Sequence, residues 1–163
     1  MAIIDSRMDK TQKKNLLILA VLGAVYFILF IFPNASTLGS DNPQVYLHKD
    51  EYVIYPVVER MLLLEGSFSN IWGRLIIYGD YTYGYPFYFL SSLALLPLRL
   101  INGEKFFSQL PLNILILRQA INILPIILTA GIFSYLQTKF RSTWKSIFVF
   151  LFLVTIPAVV RSN

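Results

Sequence analysis

The sequence predicts an all-α membrane protein with three transmembrane helices and a long outer loop that carries two amphipathic helices lying along the membrane surface. Three observations lead to this prediction. Of the 163 residues, 56% are hydrophobic and 15% aromatic, which is more than a soluble core needs. Long uncharged apolar runs recur along the chain, and no strand pattern competes with them. Basic residues are concentrated in two short segments, as in the cytoplasmic parts of membrane proteins.

The first predicted span is residues 16–32, which follow a basic and presumed cytoplasmic amino terminus at residues 1–15. The run contains no charge, and at about 1.5 Å per residue it nearly crosses a hydrocarbon core of about 30 Å. A cleaved signal peptide is the alternative. The run is longer than the roughly 7 to 15 apolar residues usual in a signal peptide, and no A-x-A site follows it. We therefore expect an uncleaved anchor.

Two further spans are predicted at residues 112–136 and 146–160. The second span is long enough to cross although Arg118, Asn122 and Pro125 interrupt it. A cytoplasmic loop at residues 137–145, with three basic side chains, separates it from the third span. Residues 161–163 follow the third span on the outer side.

The apolar segment at residues 86–101 is assigned by the positive-inside rule. If this segment spanned the membrane, the basic amino terminus and the basic loop at 137–145 would lie on opposite sides. Its uncharged part is also short, with Pro97 near its end and Arg99 after it. We therefore predict one outer loop at residues 33–111, with membrane-lying helices near 50–66 and 86–101.

The charged stretch LHKDEYVIYP lies in this outer loop, just before apolar residues that recur with helical spacing. Asp50 and Glu51 are predicted at or just before a helix amino terminus, where unpaired N–H groups favour carboxylates. Pro56 makes the regular helix begin near Tyr55 or kinks its first turn. In one interpretation Asp50 is an ordinary N-cap. In the other, Asp50 is a general base or a metal ligand, with Glu51 and His48 in support.

Three stretches together resemble the start of the GT-C glycosyltransferases: HKDEYVIYPVVERMLLLEG, GDYTYGYPFYFLSSLALLPLRLI and LRQAINILPIILTAGIFSYL. These are integral membrane enzymes that use polyprenyl-phosphate-linked sugars, and they include protein O-mannosyltransferases and aminoarabinose transferases. Asp50-Glu51, Glu59-Arg60-Met61-Leu62 and Gly66 match the first outer loop of the family. Arg118 matches an arginine early in the second span. Family members continue through more spans, so the resemblance implies an amino-terminal part that is inactive alone.

The resemblance also implies roles for individual residues. Asp50 would be the catalytic base or bind the acceptor, with Glu51 in support, and the two carboxylates are candidate ligands for a divalent cation. Donor phosphate or substrate would be bound by Arg118, His48, Tyr83 and Tyr85. Two simpler interpretations stay open. Arg118 can extend to the lipid headgroups, and the tyrosines can form an interfacial aromatic belt.

The expected partners are the lipid bilayer, a polyprenyl-phosphate sugar donor, and a glycan, lipid or protein acceptor. A net charge of +5 without a basic stripe or RNA-binding motif argues against nucleic acid. The absence of cysteine excludes disulfides and thiol nucleophiles. We expect a multi-pass protein with a cytoplasmic amino terminus, in a bacterial or archaeal plasma membrane rather than the ER.

Two other classes of protein compete with the glycosyltransferase. A small multi-pass accessory or scaffold subunit would need no catalytic carboxylate, and Asp50 would then serve only as a helix cap. A segment of a transporter would carry polar residues near the middle of its spans, but here they lie mainly outside the spans or in their outer halves. The sequence therefore favours the enzyme, keeps the accessory subunit as the alternative and argues against the transporter.

Overall fold

The computed structural model describes residues 8–36, 38, 49–76 and 83–160, without the side chains of residues 49, 50 and 157–160. All regular secondary structure in these ranges is helical, so the predicted all-α class is confirmed there. The helices, in chain order, are α1 (Lys10–Leu29), α2 (Ile31–Ala35), α3 (Lys49–Met61), α4 (Phe68–Ile76), α5 (Tyr85–Asn102), a 3-10 helix (Gly103–Ser108), α6 (Leu110–Leu117), a π-helical turn (Arg118–Ile123), α7 (Leu124–Thr138) and α8 (Thr143–Val160).

Two helical stretches are long and apolar enough to cross a membrane. They are Lys10–Ala35, with 26 residues, and Leu110–Thr138, with 29 residues. Both contain spans predicted from the sequence. A third apolar helical stretch, Thr143–Ile156, is shorter and overlaps the third predicted span at residues 146–160. By length and composition, the described residues thus carry two candidate membrane spans.

The two helices predicted in the outer loop differ from their predicted bounds. The helix predicted near 50–66 ends at Met61, and a further helix, α4, follows it. Gly66 lies between the two helices with a φ of 90°, a left-handed conformation that glycine adopts without strain. Gly66 therefore belongs to the connection between α3 and α4 and does not itself end α3. The helix predicted near 86–101 extends from Tyr85 to Asn102.

Pro56 departs from its prediction, whereas Pro125 interrupts its helix as predicted. Pro56 lies inside α3, which begins at Lys49 and not near Tyr55, so Asp50 is in the first helical turn and is not an N-cap residue. Pro125 comes just after the π-helical turn. Because proline lacks an N–H and its ring crowds the carbonyl four residues earlier, an α-helix cannot pass it undisturbed. The wider π turn accommodates this disturbance within the apolar stretch.

The chain forms two compact units. Unit 1 consists of residues 1–29 and 123–163, and its helices α1, α7 and α8 bury a core of Leu19, Ala130, Phe140, Phe150 and Val154. In α1, a Cβ added to Gly23 would lie 2.8 Å from Cγ2 of Ile127 in α7. Glycine thus allows these two helices to approach closely, as small residues do between membrane helices.

Unit 2 consists of residues 30–122. Its core is built by α3, α5, α6 and the 3-10 helix, and it contains Tyr55, Val57, Val58, Met61, Leu62, Tyr88, Leu95, Phe106, Ile114 and Leu117. Asn113 joins these elements because its Nδ2 donates to the Tyr55 hydroxyl at 2.9 Å and to the Phe106 carbonyl at 2.9 Å. This core fixes α3, which carries Asp50 and Glu51, against α6, which leads into Arg118.

Candidate functional site

A partly buried ion pair joins two of the residues predicted to act together. Arg118 Nε donates to Glu51 Oε1 at 2.6 Å, and Arg118 Nη2 donates to Glu51 Oε2 at 2.7 Å. The side chains are only 10% and 20% exposed, respectively. Such a parallel pair of bonds is the strongest arrangement between a guanidinium and a carboxylate, and it fixes both planes. Glu51 and Arg118 therefore form one rigid unit in the fold.

Arg118 also contacts a third element of unit 2. Its Nη1 donates to the Asn34 carbonyl in α2 at 2.6 Å. The guanidinium thus connects α2, the first turn of α3 and the start of the π-helical turn. The first turn of α3 lies at the positive end of the helix dipole, which favours the Glu51 carboxylate. The sequence predicts a lipid phosphate or headgroup as the partner of Arg118. In the structure Arg118 instead forms an ion pair with Glu51.

The other predicted site residues are placed as follows. Asp50 precedes Glu51 in the first turn of α3, and its side chain lies outside the described part of the chain. His48 also lies outside the described residues. Tyr83 lies just before α5, and Tyr85 is its first residue. The ring centroid of Tyr83 is 5.8 Å from that of Phe87, and the ring centroid of Tyr85 is 5.7 Å from that of Phe89. The structure brings Glu51 and Arg118 together, and the roles of Asp50, His48 and the tyrosines stay predictions.

The atoms at this site that could bind a metal ion are carboxylate oxygens. Within the described ranges, no three His, Asp or Glu side chains form a group that could hold a metal ion. Both Glu51 oxygens accept bonds from Arg118, whose positive charge opposes a second cation at the same oxygens. Glu51 therefore fits a divalent cation poorly, and Asp50 is left as the predicted cation ligand.

Gln119 and Asn34 are polar residues of this region that the sequence analysis did not assign to the site. Gln119 is only 5% exposed, and neither its Nε2 nor its Oε1 has a hydrogen-bond partner among the described residues. Asn34 Nδ2 is likewise buried without a partner there. The signal in the sequence was a glutamine beside an arginine within an apolar span. A buried amide without partners costs stability unless water or a ligand satisfies it.

Replacing Gln119 by leucine is expected to raise the free energy of unfolding by about 1 kcal/mol, because two unpaired buried polar atoms are removed. Reversible unfolding of the purified chain in detergent would measure the change. Gln109→Leu is the matched control, since Gln109 Oε1 accepts a bond from Asn102 Nδ2 at 2.8 Å and its loss should destabilise the chain. Destabilisation by Gln119→Leu would show instead that the amide is satisfied in the native protein.

Glu59 lies two turns after Glu51 in α3 and is half-buried. Burial raises the pKa of the Glu59 carboxyl above its ordinary value of 4.5. A carboxyl with a higher pKa in the folded chain stabilises the fold below its unfolded pKa, and this stabilisation is lost as the pH rises through the folded pKa. We expect Glu59→Gln to gain stability relative to the wild type as the pH rises from below 4.5 towards neutrality.

The melting temperatures of wild type and Glu59→Gln, measured across this pH range, test the expectation. Glu65→Gln, at an exposed position in the connection after α3, is the control. A difference between wild type and Glu59→Gln that stayed constant with pH would contradict the expected role of burial.

Fold and site together define a helical chain with two candidate membrane spans and a partly buried carboxylate–guanidinium pair in unit 2. No family model matches this chain, and no curated protein or solved structure matches it either.

Proposed function

We propose that the chain acts in a GT-C type glycosyltransferase, which moves a sugar from a polyprenyl-phosphate-linked donor to an acceptor hydroxyl or amine on the outer side of the membrane. One observation carries this proposal. Glu51 and Arg118, which the resemblance assigns to one site, are separated by 67 residues and form a partly buried bidentate ion pair. Charged residues within apolar spans usually pair with one another, and such pairs often mark functional sites.

In the proposed reaction, Asp50 accepts the proton of the acceptor hydroxyl. The acceptor oxygen attacks the anomeric carbon, and the bond between that carbon and the phosphate oxygen breaks with its electron pair leaving on the lipid phosphate. Arg118 and Glu51 act as positioning residues because their pair holds the first turn of α3, which includes Asp50. The dipole of α3 favours negative charge near this turn, which suits the departing phosphate.

The proposed topology has a cytoplasmic amino terminus, three spans and an outer loop that carries Glu51. Contacts within unit 1 support the shared side of the two basic segments. Gln12 Nε2 donates to the Lys139 carbonyl at 2.8 Å, and Asn15 Nδ2 donates to the Phe140 carbonyl at 2.7 Å. The start of α1 and the α7–α8 connection are therefore at the same end of unit 1. By the positive-inside rule this end is cytoplasmic.

The test is transfer of labelled sugar in membranes that contain the full-length protein, with a panel of polyprenyl-phosphate sugars as donors. Nucleotide sugars of the same hexoses or pentoses are the matched donor controls, and membranes without the protein give the background. We expect transfer from at least one polyprenyl-phosphate donor and none directly from nucleotide sugars. Background rates with every polyprenyl-phosphate donor would contradict the proposal.

The alternative is an accessory or scaffold subunit of a membrane complex. The observation that favours it is the charge compensation of Glu51 by Arg118, because a fully paired carboxylate suits a structural role. This alternative predicts that substitutions at Asp50 alter stability slightly and change no transfer rate directly. Activity and stability measured on the same variant therefore distinguish the two functions.

A further inference from the structure

One end of unit 1 carries exposed positive charge from two segments that are far apart in the sequence. Asp9 and Gln12 form a reciprocal cap at the start of α1, with Gln12 N donating to Asp9 Oδ1 at 2.7 Å and Asp9 N donating to Gln12 Oε1 at 2.9 Å. Gln12 and Asn15 then bond the carbonyls of the α7–α8 connection, as described above. Thr143 Oγ1 completes the junction by donating to Asn15 Oδ1 at 2.8 Å.

This junction brings together a set of cations that we call the basic end. All of its side chains are exposed, and no ion pair within the described residues involves any of them. Among the described residues of these segments Asp9 is the one acidic residue, so their net charge is strongly positive. The members of the basic end are Lys10, Lys13, Lys14, Lys139, Arg141 and Lys145.

An apolar groove begins at the basic end and runs along one face of α8. Its volume is about 240 Å³, and it is lined by Trp144, Ile147, Phe148, Leu151, Phe152 and Thr155. The Thr155 hydroxyl donates within α8, to the Leu151 and Phe152 carbonyls at 2.9 and 3.0 Å, so the groove has no polar requirement of its own. Trp144 is 82% exposed at the head of the groove, directly beside Lys145.

We propose that the basic end and this groove bind an anionic glycerophospholipid, with the phosphate at Arg141 and Lys145 and one acyl chain along the groove. The charge of the basic end complements the headgroup, and tryptophan is the side chain that favours the boundary between headgroups and acyl chains. From Trp144 to Thr155 the face extends about 16 Å at about 1.5 Å per residue, which is half of a hydrocarbon core of about 30 Å and thus one leaflet.

The charge also argues against a second copy of the chain as the occupant of this groove. A parallel pair of chains joined along α8 would place two basic ends side by side, where their like charges would repel each other. A lipid with a negative headgroup instead neutralises the charge. The groove and the basic end therefore suit the same occupant, although each is a separate feature of unit 1.

Quenching of tryptophan fluorescence by brominated lipids tests the proposal directly. The chain has two tryptophans, so Trp72→Phe leaves Trp144 as the reporter. The purified full chain would be placed in phosphatidylcholine vesicles with either acyl-brominated phosphatidylglycerol or acyl-brominated phosphatidylcholine at equal mole fractions. We expect half-maximal quenching of Trp144 at a severalfold lower fraction of the anionic lipid, and we expect high salt to reduce this preference.

Variants then test the phosphate position. Arg141→Gln and Lys145→Gln should each lower the preference for the anionic lipid about fivefold, the factor that one cation near an anionic surface contributes. Lys105→Gln, an exposed lysine of unit 2, is the matched control and should leave the preference unchanged. Circular dichroism would verify that helix content is equal in all variants.

Three results would overturn the proposal. Equal quenching by both lipids would mean nonselective contact with the bilayer. An unchanged preference in Arg141→Gln and Lys145→Gln would remove the proposed phosphate position. Absence of quenching by either brominated lipid would mean that another protein surface, or a second copy of the chain, covers the groove.

Discussion

Asp50→Asn is expected to reduce the rate of sugar transfer by about 10²- to 10⁴-fold, the contribution typical of a general base. Asparagine has nearly the same shape as aspartate, but it cannot accept the proton of the acceptor hydroxyl. The cost to stability should be small, since a carboxylate in the first turn of a helix contributes about 0.3–1 kcal/mol. Initial rates in membranes at matched expression, together with melting temperatures, would separate the two effects.

Glu59→Gln is the control for this experiment. It also neutralises a carboxylate of α3, but two turns away from Asp50, and it should retain the wild-type rate. An Asp50→Asn variant with an unchanged rate would return Asp50 to a structural role and would favour the accessory subunit. Loss of activity accompanied by a large drop in melting temperature would also fail to support a catalytic base.

Arg118→Met is expected to lower the free energy of unfolding by up to about 3–5 kcal/mol, because it leaves the partly buried Glu51 carboxylate without this partner. The Asn34 carbonyl loses its donor in the same variant. Reversible unfolding of the purified chain in mixed detergent micelles provides the measurement. Arg118→Lys should recover only part of the loss, since an ammonium keeps the charge but cannot form the parallel pair of bonds.

The Arg99–Glu104 ion pair of unit 2 supplies a matched comparison. Arg99 is 6% exposed there, but Glu104 is 74% exposed, so the carboxylate stays in water when its partner is lost. Arg99 also donates to the Leu62 carbonyl at 3.1 Å. For this reason the informative control is Glu104→Gln, which should cost no more than about 1 kcal/mol.

The double variant Glu51→Leu with Arg118→Met tests whether buried charge is the cause. Replacing both charges by apolar groups removes the desolvation cost along with the attraction, so we expect much of the stability to return. A double variant as unstable as Arg118→Met alone would mean that the loss comes from packing around the arginine stem. In either case the transfer assay on the same variants would report the positioning role separately.

The sequence predicted the helices that have strong local signals. Uncharged runs predicted α1, α5 and α8 nearly in full because their apolar composition extends over many residues. Helix α4 was missed, since its nine residues (Phe68–Ile76) include Gly73 and are too few to show a convincing period. The interruption at Pro125 was visible, but a π turn and a kink give the same sequence signal.

The sequence indicated which residues belong to the candidate site, but not which of them are in contact. The resemblance indicated both Glu51 and Arg118, but spacing along a chain carries no information about a pairing across 67 residues. In a regular α-helix, Arg118, Asn122 and Thr129 would lie near one face. In the structure Arg118 is buried while Asn122 and Thr129 are exposed, and the π turn interrupts the regular α-helical spacing between them. Gln119 could not be predicted because its burial depends on packing.

The hydrogen bonds of Asn15 place a constraint on the order in which the chain assembles. Asn15 and its partner Phe140 are separated by 125 residues, so all the residues between them must be synthesised before this buried amide finds its partner. Helix α1 can enter the membrane early as an independent segment, but it can be packed against α7 and α8 only after both of those helices have been made. Unit 1 is therefore begun before unit 2 and completed after it, because unit 2 lies entirely within the segment made in between.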